Sequence, residues 1–288
     1  QESRDIYGRQ SGPGNAVRLT QDPAEDVMPR WSPDGQWIAF LRIEPGKKSG
    51  VYVVPAVGGK ERRVGGSAEL TAEWGCLDWT RDSQWLAVSV QEAGQAAGLV
   101  LVSVETGLQR RLTQPPPGHP DLAARFSPDG KRLAFLRKGS GLMVAGLSAD
   151  IALQGEPEAL RAEVSGPVQS FAWTADGKEL VVSAGFHQSA SLWRVGIAGE
   201  TPRMLPFGEA AVDVSVSAAG GRLAVVKRES QSHIWEIDVE GGGGASRVFE
   251  SSRSELSPAY SPDGTKVAFG SNRSGTDEIW VCERRTGE

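Results

Sequence analysis

Five aspartates, Asp34, Asp82, Asp129, Asp176 and Asp263, recur in one setting along the chain. Carboxylates repeated this way could supply acid–base groups or ligands for a hard cation. Their neighbours argue for a structural use instead. Asp34 stands in Trp31-Ser32-Pro33-Asp34-Gly35, ahead of Trp37-Ile38-Ala39-Phe40. Altered copies begin at Trp79, Phe126, Trp173, Val216 and Tyr260. Proline presets one turn residue, aspartate bonds nearby backbone N–H groups, and glycine takes the left-handed position. Asp34, Asp82, Asp129, Asp176 and Asp263, with Gly35, Gly130, Gly177 and Gly264, are therefore expected to shape hairpin corners. Ser83 in the glycine position and Ala219 in the aspartate position mark the corners expected to be least well satisfied.

The other reactive side chains do not converge in sequence. His119, His187 and His233 fall in three different repeats, in expected loops, without metal-ligand spacing. Cys76 and Cys282 also lie in different repeats and read as buried or half-buried free thiols. The chain carries no nucleophile elbow, Walker-type loop or dinucleotide fingerprint. Gly241 to Gly244 sits in a turn between strands, where it offers phosphate no helix N-terminus. No catalytic residue, metal ligand or cofactor is assigned.

The elements around the corners explain their spacing. Counted at the Asp34 position, the intervals are 48, 47, 47, 43 and 44 residues. Each corner joins two strands, and a third follows, as in Val51-Tyr52-Val53-Val54, Leu99-Val100-Leu101-Val102 and Ile279-Trp280-Val281-Cys282. A polar fourth strand closes most units, as in Arg62-Arg63-Val64, Arg110-Arg111-Leu112-Thr113 and Arg203-Met204-Leu205. Four antiparallel strands at this period describe a propeller blade.

The expectation is an all-β, six-bladed β-propeller with blades at about residues 21–65, 66–113, 114–160, 161–205, 206–249 and 250–288. Val17-Arg18-Leu19-Thr20 matches a fourth strand and is expected to join the last blade, closing the ring within a single domain of residues 16–288. Asp5-Ile6-Tyr7 also reads as a third strand, so residues 1–15 are a tail or spare edge, or the chain comes from a larger ring. Because it starts at Gln1, the chain is read as a processed or excised piece of a longer protein.

In such a ring the first strands surround a central channel, and loops gather on one face. Five residues before each aromatic anchor stand Asp26, Trp74, Asp121, Val168, Ala211 and Glu255. Glu73 and Asp213 lie close by, and Arg30 and Arg125 directly precede their anchors. These residues are expected to form an acidic channel mouth able to hold a cation or a basic peptide segment. The alternative is that the carboxylates cap loop N–H groups. Trp37, Trp85, Trp193, Trp235 and Trp280 are expected to pack between blades, while Phe186 and His187 could touch a ligand from a loop.

A net charge of −5 and a pI near 5.5 speak against direct nucleic-acid binding. Arg62-Arg63 and Arg110-Arg111 recur at one strand position and read as a solvated outer strand. No apolar run approaches the roughly 18 residues that cross a bilayer, and no signal-peptide pattern opens the sequence. This segment is therefore not expected to insert into a membrane.

The Ser-Pro-Asp-Gly corner, the Ile-Ala-Phe second strand, the Ile-Trp-Val third strand and the Arg-Arg-Leu-Thr closing strand together resemble the TolB-like propeller repeats. The match is best over residues 31–40, 51–64, 126–135 and 260–282, and weakest over 216–225. Ser271 to Trp280 is similar to the version found in membrane-tethered bacterial regulators, which join a winged helix to an external propeller. WD-type repeats share the corner, but here only Gly118-His119 supplies their Gly-His pair and no Trp-Asp occurs.

The resemblance implies a non-catalytic protein- or peptide-binding or sensing domain, part of a larger bacterial protein and extracytoplasmic or periplasmic. The alternatives are a small-ligand sensor of a transcriptional regulator, and a propeller lyase or peptidase accessory domain.

Overall fold

The computed structural model describes residues 4–8, 15–44, 49–65, 69–70, 77–92, 94–161, 163–186, 190–206, 208–218, 221–227, 234–236, 246–248, 255–271, 273–274 and 278–283. Among the described residues every regular element is a strand and every pairing is antiparallel. No helix among them is long and apolar enough to cross a membrane.

Four successive units show the expected order of strands. Unit 1 pairs Glu25–Trp31, Trp37–Ile43, Gly50–Pro55 and Arg62–Arg63 in sequence. Unit 2 pairs Leu77–Trp79, Trp85–Gln91, Gly98–Ser103 and Gln109–Arg111, with Glu69–Leu70 also on its second strand. Unit 3 uses Asp121–Phe126, Arg132–Arg137, Gly141–Leu147 and Leu153–Ala159. Unit 4 uses Val168–Trp173, Glu179–Ala184, Ser191–Gly196 and Arg203–Met204.

The later units are partial among the described residues. Ala211–Val216 pairs with Leu223–Lys227, Trp235–Glu236 with Ser246–Arg247, and Glu255–Tyr260, Lys266–Ser271 and Glu278–Glu283 form a three-stranded sheet.

The corners show why the repeat carries serine or threonine, aspartate and glycine together. In unit 1 Ser32 Oγ donates to Asp34 Oδ1, the Gln36 N–H donates to the same oxygen at 3.0 Å, and the Trp37 N–H donates to Ser32 Oγ at 2.9 Å. Asp82, Asp129, Asp176 and Asp263 receive the matching pairs of bonds in their own corners. These bonds favour the ionised carboxylate, so Asp34, Asp129 and Asp176 fall below the ordinary carboxylate range and Asp263 falls to about 2. Gly35 adopts a φ of 72°, as the turn requires.

The Ser83 corner departs from expectation. Ser83 takes the same left-handed conformation, φ 59°, and Thr80 and Asp82 complete their bonds. Its hydroxyl also accepts the Asp34 N–H at 3.2 Å, linking two corners, so tertiary bonding offsets the backbone cost. Ala219 lies outside the described residues.

The apolar cores lie between units. Val51, Val53 and Leu41 of unit 1 pack against Trp79, Leu86 and Val88 of unit 2. Leu99 and Leu101 meet Leu133 and Phe135 in the next interface, and Leu142 meets Phe171 and Val182 in the one after. Units 2, 3 and 4 thus bury both faces against their neighbours, as stacked repeat modules must, whereas Leu223–Lys227 is exposed along its length. Trp79 Nε1 donates to the Arg30 carbonyl and Trp173 Nε1 to the Arg125 carbonyl, both at 2.9 Å, so these aromatic anchors fasten unit to unit.

The N-terminal segment pairs with itself. Tyr7–Gly8 lies against Val17–Arg18, and Ile6 and Leu19 pack on Ile38, Phe40 and Val54 of unit 1. The Leu19 N–H donates to Ile6 O at 2.8 Å and the Ile6 N–H to Thr20 Oγ1 at 3.0 Å. In unit 2 the Leu112 N–H donates to Leu99 O at 2.8 Å and the Leu99 N–H to Thr113 Oγ1 at 2.9 Å, the same pattern between third and fourth strands. Val17–Arg18 therefore has its own third strand within residues 4–8, and its pairing with Glu278–Glu283 is not found among the described residues.

A candidate binding site in the channel

The inner strands of successive units lie side by side: those at Glu25–Trp31, Leu77–Trp79, Asp121–Phe126, Val168–Trp173 and Ala211–Val216 each adjoin the next. They wall a channel, and the two ends of that wall differ in chemistry.

At the end away from the corners stand the carboxylates. Asp26 is fully buried and meets Arg42 in a two-pronged pair, Nε–Oδ1 and Nη2–Oδ2 both at 2.7 Å. Asp121 meets Arg137 the same way, at 2.7 and 3.0 Å, and Glu255 lies 3.6 Å from Arg273. The guanidiniums of Arg42, Arg137 and Arg273 lie over Phe40, Phe135 and Phe269. Burial opposes the charge on Arg42, yet its bonds to Asp26 and Glu61 prevail and hold its pKa above the ordinary value. For Arg137 the bond to Asp121 acts first and in the same direction.

Asp26, Asp121 and Glu255 thus face arginines of their own units, and they do not stand open as an acidic mouth. A β-bulge after each, with Met28, Ala123 and Ser257 at positive φ, turns the strand start toward its partner.

The remaining expected site residues are dispersed. Asp213 accepts Ser170 Oγ at 2.6 Å and its neighbour's Val214 N–H at 2.8 Å, bridging two units. Glu73, His187, His233 and Cys76 lie outside the described residues. His119 Nδ1 is 3.0 Å from Pro117 O, and Phe186 is exposed. Cys282 is half-buried. Among the described residues no three His, Cys, Asp or Glu side chains converge as a metal site would need.

Arg30 and Arg125 stand at the other end, beside the corners, where a cavity of about 480 Å³ opens at the centre of the wall. Its lining includes Arg30, Trp31, Asp78, Arg81, Arg125 and Trp173. Arg125 is buried, donates to the carbonyls of Ala124 at 2.7 Å and Leu77 at 3.3 Å, and lies over Phe171. Asp78 accepts the Phe126 N–H at 2.8 Å. Burial in the wall pushes its carboxyl up, and nearby Arg125 opposes the shift.

Asp78 has no signature of its own in the sequence, since it directly precedes Trp79 where the other repeats carry arginine, alanine or serine. That position, shared with Arg30 and Arg125, was the available signal.

The outer arginines are only partly solvated. Arg62 and Arg110 stack on Trp37 and Trp85 and donate to the carbonyls of Val104 and Asp150, each at 2.6 Å, in the next unit. Their strand therefore ties each unit to the next as well as facing solvent.

Sheets packed face to face around a channel walled by inner strands make this a β-propeller. Residues 20–260 match the family described as the lipoprotein LpqB beta-propeller domain, and the chain belongs to that family. Among solved structures it is similar to TolB from Acinetobacter baumannii, at 15% identity and a TM-score of 0.56, covering 93% of this chain and 54% of that one. The chain thus spans about half the length of that protein.

It is also similar to an oligogalacturonate lyase from Vibrio parahaemolyticus, at 15% identity, TM-score 0.50, and coverage of 93% and 80%. The Cps50 (Swd1) beta-propeller domain from Myceliophteria thermophila matches at 14% identity, TM-score 0.50, and coverage of 91% and 84%. At these identities the likeness is one of fold. No curated protein sequence matches the chain.

Proposed function

We propose that this domain binds a protein or peptide partner at the corner end of its channel, as a non-catalytic part of a larger bacterial protein outside the cytoplasm. The observation that carries this reading is the central cavity, which gathers side chains from successive inner strands onto one rigid wall. The acidic residues that could do chemistry are engaged elsewhere. The corner aspartates serve their own turns, and Asp26 and Asp121 are held by arginines.

The family description names a lipoprotein, which supports the extracytoplasmic placement. Binding by this route requires no cofactor. The fold alone assigns no activity, since related propellers serve unrelated ends.

Panning a random-peptide library on the folded domain tests the reading. Enriched peptides should bind, and Trp31→Ala should weaken them while unfolding by heat is unchanged. Enrichment of peptides whose binding ignores substitutions at this end of the channel would place recognition elsewhere and defeat the proposal.

A further inference from the structure

Three guanidiniums, from Arg30, Arg81 and Arg125, line the corner end of the channel against one carboxylate, Asp78. Arg125 is committed to the wall through its two carbonyl bonds. Arg30 and Arg81 are held less firmly. Half-buried Arg30 reaches the Pro29 carbonyl through Nη1 at 3.4 Å and exposed Arg81 reaches the Asp129 carbonyl through Nη1 at 3.2 Å, and both bonds are solvent-exposed. A guanidinium carries five N–H donors in a fork that matches a carboxylate, so each retains donors for a ligand.

Beside them Trp31 is 59% exposed, whereas its counterparts Trp79 and Trp173 are 3% and 6% exposed. Exposed tryptophan next to arginine is the composition that dominates energetics in protein interfaces.

We propose that this end of the channel recognises an acidic peptide segment, with carboxylates taken by Arg30 and Arg81 and an apolar side chain laid on Trp31. The inference rests on the peptide-binding reading above and supplies its chemistry. The corner aspartates Asp34 and Asp129 stand outside the cavity lining, ionised and bonded into their own turns. Their charge disfavours a broad acidic surface and leaves the axis to a narrow segment that can reach the arginines. Repulsion at the rim and attraction at the centre together give selectivity.

Fluorescence anisotropy with three labelled peptides of equal length tests this: one alternating glutamate with phenylalanine, one with glutamine replacing glutamate, and one with lysine. The glutamate peptide should bind at least about tenfold more tightly than the glutamine peptide, and the advantage should shrink with added salt. Arg30→Gln and Arg81→Gln should each weaken the glutamate peptide about fivefold and leave the glutamine peptide within about twofold. Arg30→Lys should restore part of the loss. Near-ultraviolet circular dichroism confirms that each variant keeps its fold.

Equal affinity for the glutamate and glutamine peptides, with both lost in Trp31→Ala, would overturn acid recognition and leave the peptide-binding reading standing. Glutamate-peptide binding that ignores Arg30 and Arg81 would also overturn the inference. Absence of binding by all three peptides would overturn both.

Discussion

The second strands of units 1 and 3 lock the inner strand of their own unit, whereas those of units 2 and 4 lock the inner strand of the next unit. In units 1 and 3 the lock is internal: Asp26 with Arg42, and Asp121 with Arg137, sixteen residues apart in both cases and over a phenylalanine. In units 2 and 4 a buried serine reaches the next unit. Ser89 Oγ donates to the Asp121 carbonyl at 2.8 Å and Ser183 Oγ to the Ala211 carbonyl at 2.5 Å.

At Asp121 both locks meet, the backbone held from unit 2 and the carboxylate from within unit 3. The difference teaches that the acidic residues of the inner strands belong to the scaffold. The proposed recognition site lies at the opposite end of the wall.

The largest effect should come from breaking an internal lock. Arg42 and Asp26 have side chains 4% and 0% exposed, so Arg42→Ala strands a buried carboxylate and should cost about 3–5 kcal/mol in urea unfolding. Ser89→Ala and Ser183→Ala should cost less, about 1–2 kcal/mol each, because each removes one neutral donor from a buried carbonyl. Equal losses in the two sets would erase the distinction between the units.

Much of this fold was legible in the chain. The Ser-Pro-Asp-Gly corners announce themselves because turn chemistry is local, and the strands follow from the apolar runs beside them. The long-range pairs were harder to read. Asp26 and Arg42 lie near opposite ends of the hairpin's sequence, and antiparallel register with a bulge brings them together at its open end.

The repeated spacing of Asp26 to Arg42 and Asp121 to Arg137 was visible in sequence but had no meaning before that register was known. Arg30 and Arg125 were found beside their anchors, whereas the end of the channel they occupy depends on strand direction. The two strands of the N-terminal segment are legible singly. Their mutual pairing depends on the hydrogen bonds of Ile6, Leu19 and Thr20.

Acid should sharpen the comparison further. Asp34, Asp129, Asp176 and Asp263 have folded pKa values below their unfolded values, so their contribution is present above the ordinary carboxylate range and is lost as pH falls through the folded values, near 2 for Asp263. Asp78 has the opposite sign, its raised folded pKa making protonation favourable to folding. Urea midpoints should therefore fall between about pH 4 and pH 2, and Asp78→Asn should make that fall begin from a higher neutral-pH stability. A wild-type midpoint that rises over this range would contradict the turn assignments.

The smallest effect belongs to Ser83→Gly. Relief of the positive φ should nearly cancel the lost bond to Asp34 and the added unfolded-chain entropy, leaving a change below about 0.5 kcal/mol.

A double-mutant cycle on Asp26 and Arg42, with Asp26→Ala, Arg42→Ala and the double variant unfolded in urea, tests most directly whether the inner-strand carboxylates are scaffold. A coupling energy of about 2 kcal/mol or more, with the double variant more stable than Arg42→Ala alone, is the predicted result. A coupling below about 0.5 kcal/mol would show Asp26 independent of its arginine, contradicting its assignment to the scaffold.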